Sequence, residues 1–138
     1  METALFSAEI HELHKILHWI RVRLEKSGVQ GKEVRRIELA AEEAVVNVIL
    51  HGYEGKKGRV EVGIKKGPGR IELLFRDWGP PFDPLSNAPK VDPSAPLEER
   101  EAGGLGIFFM QQIMDEIAYR RESDANILTL VKHFSRTK

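Results

Sequence analysis

The chain begins with two stretches in which apolar residues recur every three or four positions, the spacing of an amphipathic helix. The first stretch predicts a helix over residues 8–26, with Ser7 as its N-terminal cap and Gly28 just beyond its end. The second predicts a helix over about residues 32–51, which Gly52 terminates. Its last turns are rich in valine and isoleucine, which are poor helix formers, so burial must stabilise that half of the helix.

Apolar and polar residues then alternate in four further segments, which predicts two β-hairpins separated by a short apolar helix over residues 105–114. The four predicted strands cover residues 60–65, 71–76, 116–121 and 126–134. The first two are joined by a Gly-Pro-Gly turn at residues 67–69. Paired strands with helices that cover one face predict an α+β two-layer sandwich with a mixed, mostly antiparallel sheet.

A proline-rich stretch separates the two predicted hairpins. Six of the seven prolines lie between Pro80 and Pro96, and residues 79–104 show no sustained periodicity. A loop of this length inside a domain is typical of a lid over a binding site or of a disordered segment. We therefore expect one domain over residues 1–138, with a lid at about residues 80–102.

Composition and charge narrow the class of protein. The chain has 138 residues, 41% of them hydrophobic, which suits one domain with a buried core. It carries 21 basic and 21 acidic residues, and this balance argues against direct nucleic-acid binding, which needs a basic excess. There is no cysteine, and we find no apolar run long enough for a membrane span and no signal-peptide pattern. We expect a cytoplasmic protein that binds no membrane.

Two polar residues of the second predicted helix are candidates for chemistry. Glu43 and Asn47 are four positions apart, so they lie one turn from each other on the same helix face. The amide oxygen is a hard ligand suited to Mg²⁺, and the carboxylate can orient or deprotonate a hydroxyl group. The alternative is an ordinary solvated face. Asn47, however, lies among β-branched residues in a helix interior, where asparagine is disfavoured.

Two further motifs point to a ligand. Asp77 ends a predicted strand, and Gly79 follows it, where the absence of a side chain permits a close approach. The Gly-Gly-Leu-Gly sequence at residues 103–106 opens a predicted helix, and free N–H groups at such a junction suit phosphates. The alternative for Asp77 is an ordinary aspartate at the junction of a strand and a turn. The alternative for the glycine-rich sequence is a tight turn without a ligand. The absence of a Gly-Lys-Ser/Thr sequence excludes a P-loop.

The order of these motifs resembles that of one family. The sequence is similar to the Bergerat-fold ATPases (gyrase, Hsp90, histidine kinases and MutL), and among them to the bacterial anti-sigma-factor serine/threonine kinases. The resemblance extends from the first helix to Phe134. It is carried by Glu-Ala-Val-Val-Asn-Val-Ile-Leu-His-Gly-Tyr at residues 43–53, Asp-Trp-Gly-Pro-Pro-Phe-Asp-Pro at 77–84 and Gly-Gly-Leu-Gly-Ile at 103–107.

This resemblance implies roles for particular residues. Asn47 would coordinate the Mg²⁺ ion that bridges the phosphates of ATP, and Glu43 would orient or deprotonate the incoming serine hydroxyl. Asp77 would bind the amino group of adenine. Gly79 would let the base approach, and Thr129 would support the contact to Asp77.

At the phosphate end, the resemblance implies that Gly104 and Gly106 shape the site beneath the lid. Members of the family often carry a basic residue directly before the glycine pair, where this chain has Glu101 and Ala102. Arg100 is the nearest candidate for a contact to phosphate. The alternative is that the acidic residues around Arg100 form only a run of charge exposed to solvent.

The resemblance implies an anti-sigma factor that sequesters a sigma factor and, with ATP and Mg²⁺, phosphorylates an anti-anti-sigma protein of the STAS fold. Intact Glu43 and Asn47 favour this enzyme over a nucleotide-binding regulatory module without phosphotransfer activity. A homodimer is also expected. The resemblance supports it, and Ile16, Trp19 and Val22 widen the apolar face of the first helix beyond one packing contact.

Overall fold

The computed structural model describes residues 1–53, 56–85 and 102–134. Within these residues the chain forms five strands, three α-helices and two short helical turns. In chain order they are β1 Glu2–Ser7, a 3₁₀ turn Ile10–Glu12, α1 Leu13–Lys26, α2 Gly31–Asn47, a π-helical turn Val48–Gly52, β2 Arg59–Gly67, β3 Arg70–Asp77, α3 Ala102–Ile113, β4 Glu116–Glu122 and β5 Ala125–His133. The two predicted helices at the start and the four predicted strands are all present.

The five strands form one sheet in the order β1-β2-β3-β5-β4. Every neighbouring pair is antiparallel, so the sheet is more regular than the mixed sheet expected. The two hairpins meet where β3 pairs with β5, and this pairing places Asp77 directly opposite Asn126. The end of β3 therefore lies next to the start of β5, although the two residues are far apart in sequence.

The main core lies between the helices and one face of the sheet. Apolar residues of α1, α2 and α3 pack there against inward-facing residues such as Val62, Leu73, Phe75 and Leu130. The opposite face carries a smaller cluster of Leu74, Ala125 and Ile127. Helices on one face of an antiparallel sheet make the two-layer α+β architecture that the sequence predicts.

The first strand is an element that the sequence analysis missed. β1 pairs with β2 along its whole length, from Glu2 opposite Ile64 to Ser7 opposite Arg59. The predicted first helix consequently begins late, and Ser7 ends a strand instead of capping a helix. Local periodicity does not reveal this strand, because it has only six residues and its pairing partner β2 lies far along the chain.

The end of α2 also differs from the prediction. The α-helix stops at Asn47, and the chain continues as the wider π-helical turn Val48–Gly52. A Cβ atom added at Gly52 would lie 3.7 Å from the carboxyl group of Asp77. The end of the helix that carries Asn47 therefore lies next to the end of β3.

The third helix begins at Ala102, three residues before its predicted start. Most of the predicted lid, residues 86–101, lies outside the described residues. None of the described helices combines the length and the apolar character needed to cross a bilayer.

Candidate functional site

A cleft opens between α2, its π-helical turn, the end of β3 and the β4–β5 hairpin. The empty space among its lining residues is about 330 Å³, a figure that includes space open to solvent. Apolar side chains form most of its walls, among them Ala44, Val48, Phe75, Phe82 and Leu128. Four polar side chains also line it: Asn47, Asp77, Tyr119 and Asn126. Apolar walls with a few placed polar groups are typical of a site for a small organic ligand.

Asp77 is the buried acid of this cleft, with only 5% of its surface exposed. Its Oδ1 accepts hydrogen bonds from the backbone N–H of Gly79, at 3.0 Å, and from Nδ2 of Asn126, at 2.9 Å. Burial raises the pKa of Asp77, and these two hydrogen bonds and the charge of Arg121 partly oppose that increase. Both bonds go to Oδ1, so Oδ2 remains an acceptor for a ligand.

Gly79 has a specific steric reason to be glycine. A Cβ atom at this position would lie 1.8 Å from the carbonyl oxygen of Gly52, which is far inside van der Waals contact. Gly79 therefore lets the π-helical turn lie against the end of β3. The approach that it permits here is that of the chain's own backbone, and its role toward an adenine base stays a prediction.

Tyr53 stabilises the same junction, and the sequence analysis gave it no role. Its hydroxyl oxygen accepts hydrogen bonds from the backbone N–H groups of Trp78, at 2.9 Å, and Arg59, at 3.1 Å. The hydroxyl also donates to the carbonyl of Arg59. One side chain thus links the residue after the π-helical turn to the start of β2 and the end of β3.

Asn47 and Glu43 lie one turn apart on α2, and both are half-buried. Asn47 lines the cleft, and its Nδ2 is buried without a hydrogen-bond partner in the described residues. This nitrogen is therefore available to donate a hydrogen bond to a ligand, whereas a metal ion would be held by the oxygen of the same amide. Mg²⁺ takes one or two oxygen ligands from a protein and completes its octahedron with phosphates and water, and the Asn47 oxygen fits that requirement.

Glu43 is not among the residues that line the cleft and lies one turn before Asn47. Burial raises the pKa of Glu43, and the negative charge of neighbouring Glu42 raises it further. A carboxyl group with a raised pKa is a stronger proton acceptor once it is ionised. The role of Glu43 toward a serine hydroxyl stays a prediction.

The structure does not bring Thr129 to Asp77. Alternate residues of a strand face opposite sides of the sheet. On β5, Leu128 and Leu130 belong to the core beneath the helices, whereas Ala125 and Ile127 belong to the cluster on the other face. Thr129 shares the face of Ala125 and Ile127, so the whole sheet lies between its side chain and the cleft.

The residue beside Asp77 is Asn126, which the sequence analysis missed. It lies opposite Asp77 in the sheet register, and its side chain is 4% exposed. The one available signal was an asparagine in the apolar first half of the strand, directly before Ile127 and Leu128. Such a residue must find hydrogen-bond partners in the protein, since a buried amide without partners is costly.

The glycine-rich motif lies within the first turns of α3, and not in a loop before it. Gly104 belongs to the first turn, whose N–H groups have no partner within the helix, and Gly106 lies in the next turn. The helix packs against α2, which carries Asn47. Arg100 lies outside the described residues, so its contact to phosphate stays a prediction.

Comparisons with known proteins give relatives that match this chain over most of their length. The serine-protein kinase RsbW of Bacillus licheniformis is 26% identical over 128 residues, which cover 85% of this chain and 79% of that protein. The serine-protein kinase RsbW of Bacillus subtilis (strain 168) is 28% identical over 116 residues, covering 77% of this chain and 72% of that protein.

Solved structures share the fold. The structure of the RsbU and RsbW domains of Rv1364c from Mycobacterium tuberculosis matches 99% of this chain with a TM-score of 0.64 and 18% sequence identity. This chain covers 34% of that larger protein. The catalytic domain of the histidine kinase ThkA matches with a TM-score of 0.50 and 12% identity, and the match covers 96% of both chains.

The family model that describes the histidine kinase-like ATPase domain matches residues 6–132. This match spans every described element from the end of β1 to the end of β5. The fold expected from the motif order is therefore confirmed, and the chain belongs to the histidine kinase-like ATPase domain family.

Proposed function

We propose that this protein is an ATP-dependent serine/threonine kinase that also acts as an anti-sigma factor. The observation that carries the proposal is the cleft, which brings together the buried Asp77 carboxylate and the Asn47 amide, whose Nδ2 has no partner among the described residues. The RsbW relatives, named as serine-protein kinases, support the reaction class.

In this proposal the adenine base enters the apolar part of the cleft. Oδ2 of Asp77 accepts a hydrogen bond from the exocyclic amino group, while Phe75 and Leu128 contact the ring. Guanine presents an oxygen at that position, and it would leave the buried acceptor unpaired. Losing this hydrogen bond costs about 1–3 kcal/mol, so ATP should bind about 5- to 150-fold more tightly than GTP.

At the other end of the nucleotide, Asn47 holds Mg²⁺ through its amide oxygen, and Gly104 and Gly106 lie by the phosphates. Mg²⁺ held there would supply neutralisation of the phosphate charge during transfer. Glu43 orients the serine hydroxyl of the protein substrate and takes up its proton as the oxygen attacks the γ-phosphorus. The products are a phosphoserine and ADP.

The protein substrate in this proposal is a STAS-domain anti-anti-sigma protein, and the alternative partner is a sigma factor. Bound ADP or ATP would bias the choice between them, with a coupling free energy of about 1–3 kcal/mol. A cytoplasmic homodimer would let one sigma factor contact both copies. The balanced charge of the chain suits partners that are proteins and not nucleic acid.

A nucleotide-binding regulatory module without phosphotransfer is the second candidate. It is favoured by Glu101 and Ala102 at the place where kinases of this type often carry a basic residue. The module would bind ATP and a partner through the same cleft and transfer no phosphate. Only the fate of the γ-phosphate separates it from the kinase.

The deciding experiment incubates the whole protein with radiolabelled ATP, Mg²⁺ and each STAS protein of its own genome. Label on a STAS serine or threonine supports the kinase, whereas ATP binding by calorimetry without any transfer supports the regulatory module. Asn47→Ala is the matched variant, and it should weaken Mg²⁺-dependent nucleotide binding. Absence of ATP binding by the wild type would overturn both candidates.

Partner choice needs a separate measurement. Pull-downs of sigma factors and STAS proteins are made in ADP and in ATP, with light scattering at micromolar concentration to give the assembly mass. Nucleotide-dependent exchange of partners supports the switch. Binding that is indifferent to the nucleotide overturns it, and a strictly monomeric mass overturns the homodimer.

A further inference from the structure

The amide of Asn126 uses all of its hydrogen-bonding capacity inside the protein. Its Nδ2 donates to Oδ1 of Asp77 and to the carbonyl of Pro80, both at 2.9 Å. Its Oδ1 accepts from the backbone N–H of Phe82, at 3.2 Å, and from the hydroxyl of Tyr119, at 2.5 Å. A primary amide has two donors and two acceptor lone pairs. Asn126 therefore has none left for a ligand, and any role that it plays is exerted through its neighbours.

Those neighbours belong to two different parts of the site. One is Asp77, the proposed acceptor for the base. The other is the backbone of residues 79–82, which leads from β3 into the proline-rich stretch. Arg121 adds a second contact to this backbone, because its guanidinium donates to the carbonyl of Gly79 at 2.7 Å. We call Asn126, Tyr119 and Arg121 the Asn126 cluster.

The backbone held by this cluster also contacts the π-helical turn through Phe82, which lines the cleft. The ring of Phe82 stacks on His51, with 5.7 Å between ring centroids and 25° between ring planes. His51 belongs to the π-helical turn after α2. The segment 79–82 is thus fixed by hydrogen bonds to β4 and β5 on one side and by ring stacking on the π-helical turn on the other.

We propose that Asn126 is a positioning residue that holds the Asp77 carboxylate and the backbone of residues 79–82 in one shared arrangement. The carboxylate cannot rotate without breaking the Nδ2 bond, and the amide cannot turn to follow it without losing Pro80, Phe82 and Tyr119. Recognition of the base and the course of residues 79–82 are therefore coupled. This inference rests on the proposed function in taking Asp77 as the acceptor for the base.

Asn126→Asp is the direct test, because the substitution keeps the shape and removes both donors. Thr129→Val is the matched control, a change of similar size on the same strand that faces away from the cleft. In Asn126→Asp we expect ATP affinity to fall about tenfold or more, and the preference for ATP over GTP to fall to within about threefold. Thr129→Val should match the wild type in both.

Hydrogen exchange at the Phe82 amide supplies a readout of the coupling. In the wild type and in Thr129→Val, saturating ATP should slow exchange of this amide. In Asn126→Asp the amide should exchange faster without nucleotide, and saturating ATP should no longer slow it. A residue with a merely structural role would change exchange without abolishing the response to ATP, so a retained response overturns the coupling.

Tyr119→Phe keeps the proposal falsifiable if Asn126→Asp does not fold, since it removes only one of the four hydrogen bonds. Tyr119→Phe should lower ATP affinity and speed exchange of the Phe82 amide, each by a smaller factor than Asn126→Asp does. Values equal to those of Thr129→Val overturn the proposal. A wild type that binds no nucleotide overturns the proposed function and the coupling. Faster Phe82 exchange in the variants would then still support the positioning of residues 79–82, and unchanged exchange would overturn that as well.

Discussion

Two carboxyl groups near the cleft have pKa values raised by burial, yet they differ in their partners. Asp77 is fixed by two donors to one oxygen, which leaves the other oxygen at a defined position. Glu43 has no hydrogen-bond partner among the described residues, and its strongest electrostatic neighbour is another acid. A fixed acceptor suits recognition of a base, and an unpartnered acid with a raised pKa suits proton transfer.

Glu43→Gln should separate chemistry from binding. The substitution keeps the size of the side chain and removes the group that accepts the proton. ATP affinity by calorimetry should stay within about twofold of the wild type, while phosphotransfer to the STAS substrate falls about 10²-fold or more. Turnover at the wild-type rate would remove Glu43 from the mechanism.

The pH dependence of phosphotransfer should report the same group. Since the reaction needs ionised Glu43, kcat/KM should fall as the pH decreases through the raised pKa of that residue. Glu42→Gln removes a negative neighbour, which lowers the pKa of Glu43 and moves the acid limb to lower pH, by less than about one pH unit. Glu122→Gln on the far hairpin is the control and should not move it. An acid limb that stays in place or moves to higher pH in Glu42→Gln would contradict the assignment.

The order of motifs in the sequence identified some residues of the site and missed others. Asn47 and Asp77 were identified because each stands out from its own helix or strand. Thr129 follows from the family resemblance, whereas the structure has Asn126 beside Asp77. The sequence pattern could not correct this assignment, because β5 is apolar on both faces: Ile127 and Leu128 face opposite sides of the sheet. Alternation then cannot show which face the helices cover, and a shift of one residue reverses the face.

At the level of elements, the site depends on how closely α2 approaches the sheet. The π-helical turn Val48–Gly52 and the turn after β3 contact each other through glycine backbones. Sequence periodicity predicted that α2 ends near Gly52, because glycine is a helix terminator. It could not predict the wide final turn, which depends on a contact with residues more than twenty positions further along the chain.

Gly79→Ala tests this contact. The added methyl group would meet the Gly52 carbonyl oxygen at 1.8 Å, and backbone atoms must move to relieve the overlap. We expect a loss of about 1–3 kcal/mol or more in the free energy of unfolding, measured with urea. Gly31→Ala is the control, since a Cβ atom there meets only the end of the Arg35 side chain at 3.7 Å, and alanine favours the helix. Equal stability of the two variants would show that the junction is loose.

For the molecule as a whole, β1 changes the interpretation of the first helix. From the sequence alone, the wide apolar face of α1 predicts a contact with a second copy of the chain. In the structure, Ile16 lies in the core, and the Trp19 ring meets Phe6 of β1 edge-on at 6.4 Å between centroids. The guanidinium of Arg23 lies 4.0 Å from the centre of the same ring. Much of the apolar surplus is thus covered within the chain, so this face no longer supports a homodimer.

The fold was more predictable than the site for a physical reason. Helices and strands follow from periodicity within one segment, so their order could be obtained from local pattern alone. The cleft joins segments distant in sequence: Asn126 bonds to Asp77 across 49 residues, and β1 pairs with β2 across more than fifty. Such contacts are set by sheet register, which a single sequence does not determine.

Trp19→Ala should therefore weaken the fold and leave the assembly mass unchanged. Removal of the half-buried indole deletes its contacts with Phe6 and Arg23, and we expect a loss of about 2–3 kcal/mol in the free energy of unfolding. Leu5→Ala is the matched control on β1, because Leu5 is 50% exposed, and it should cost less than about 1 kcal/mol. Light scattering should give the wild-type mass for both variants, whichever that mass is. If Trp19→Ala keeps the stability of the wild type but changes the assembly mass, Trp19 lies at an interface between copies. The packing of β1 on α1 would then contribute little to stability.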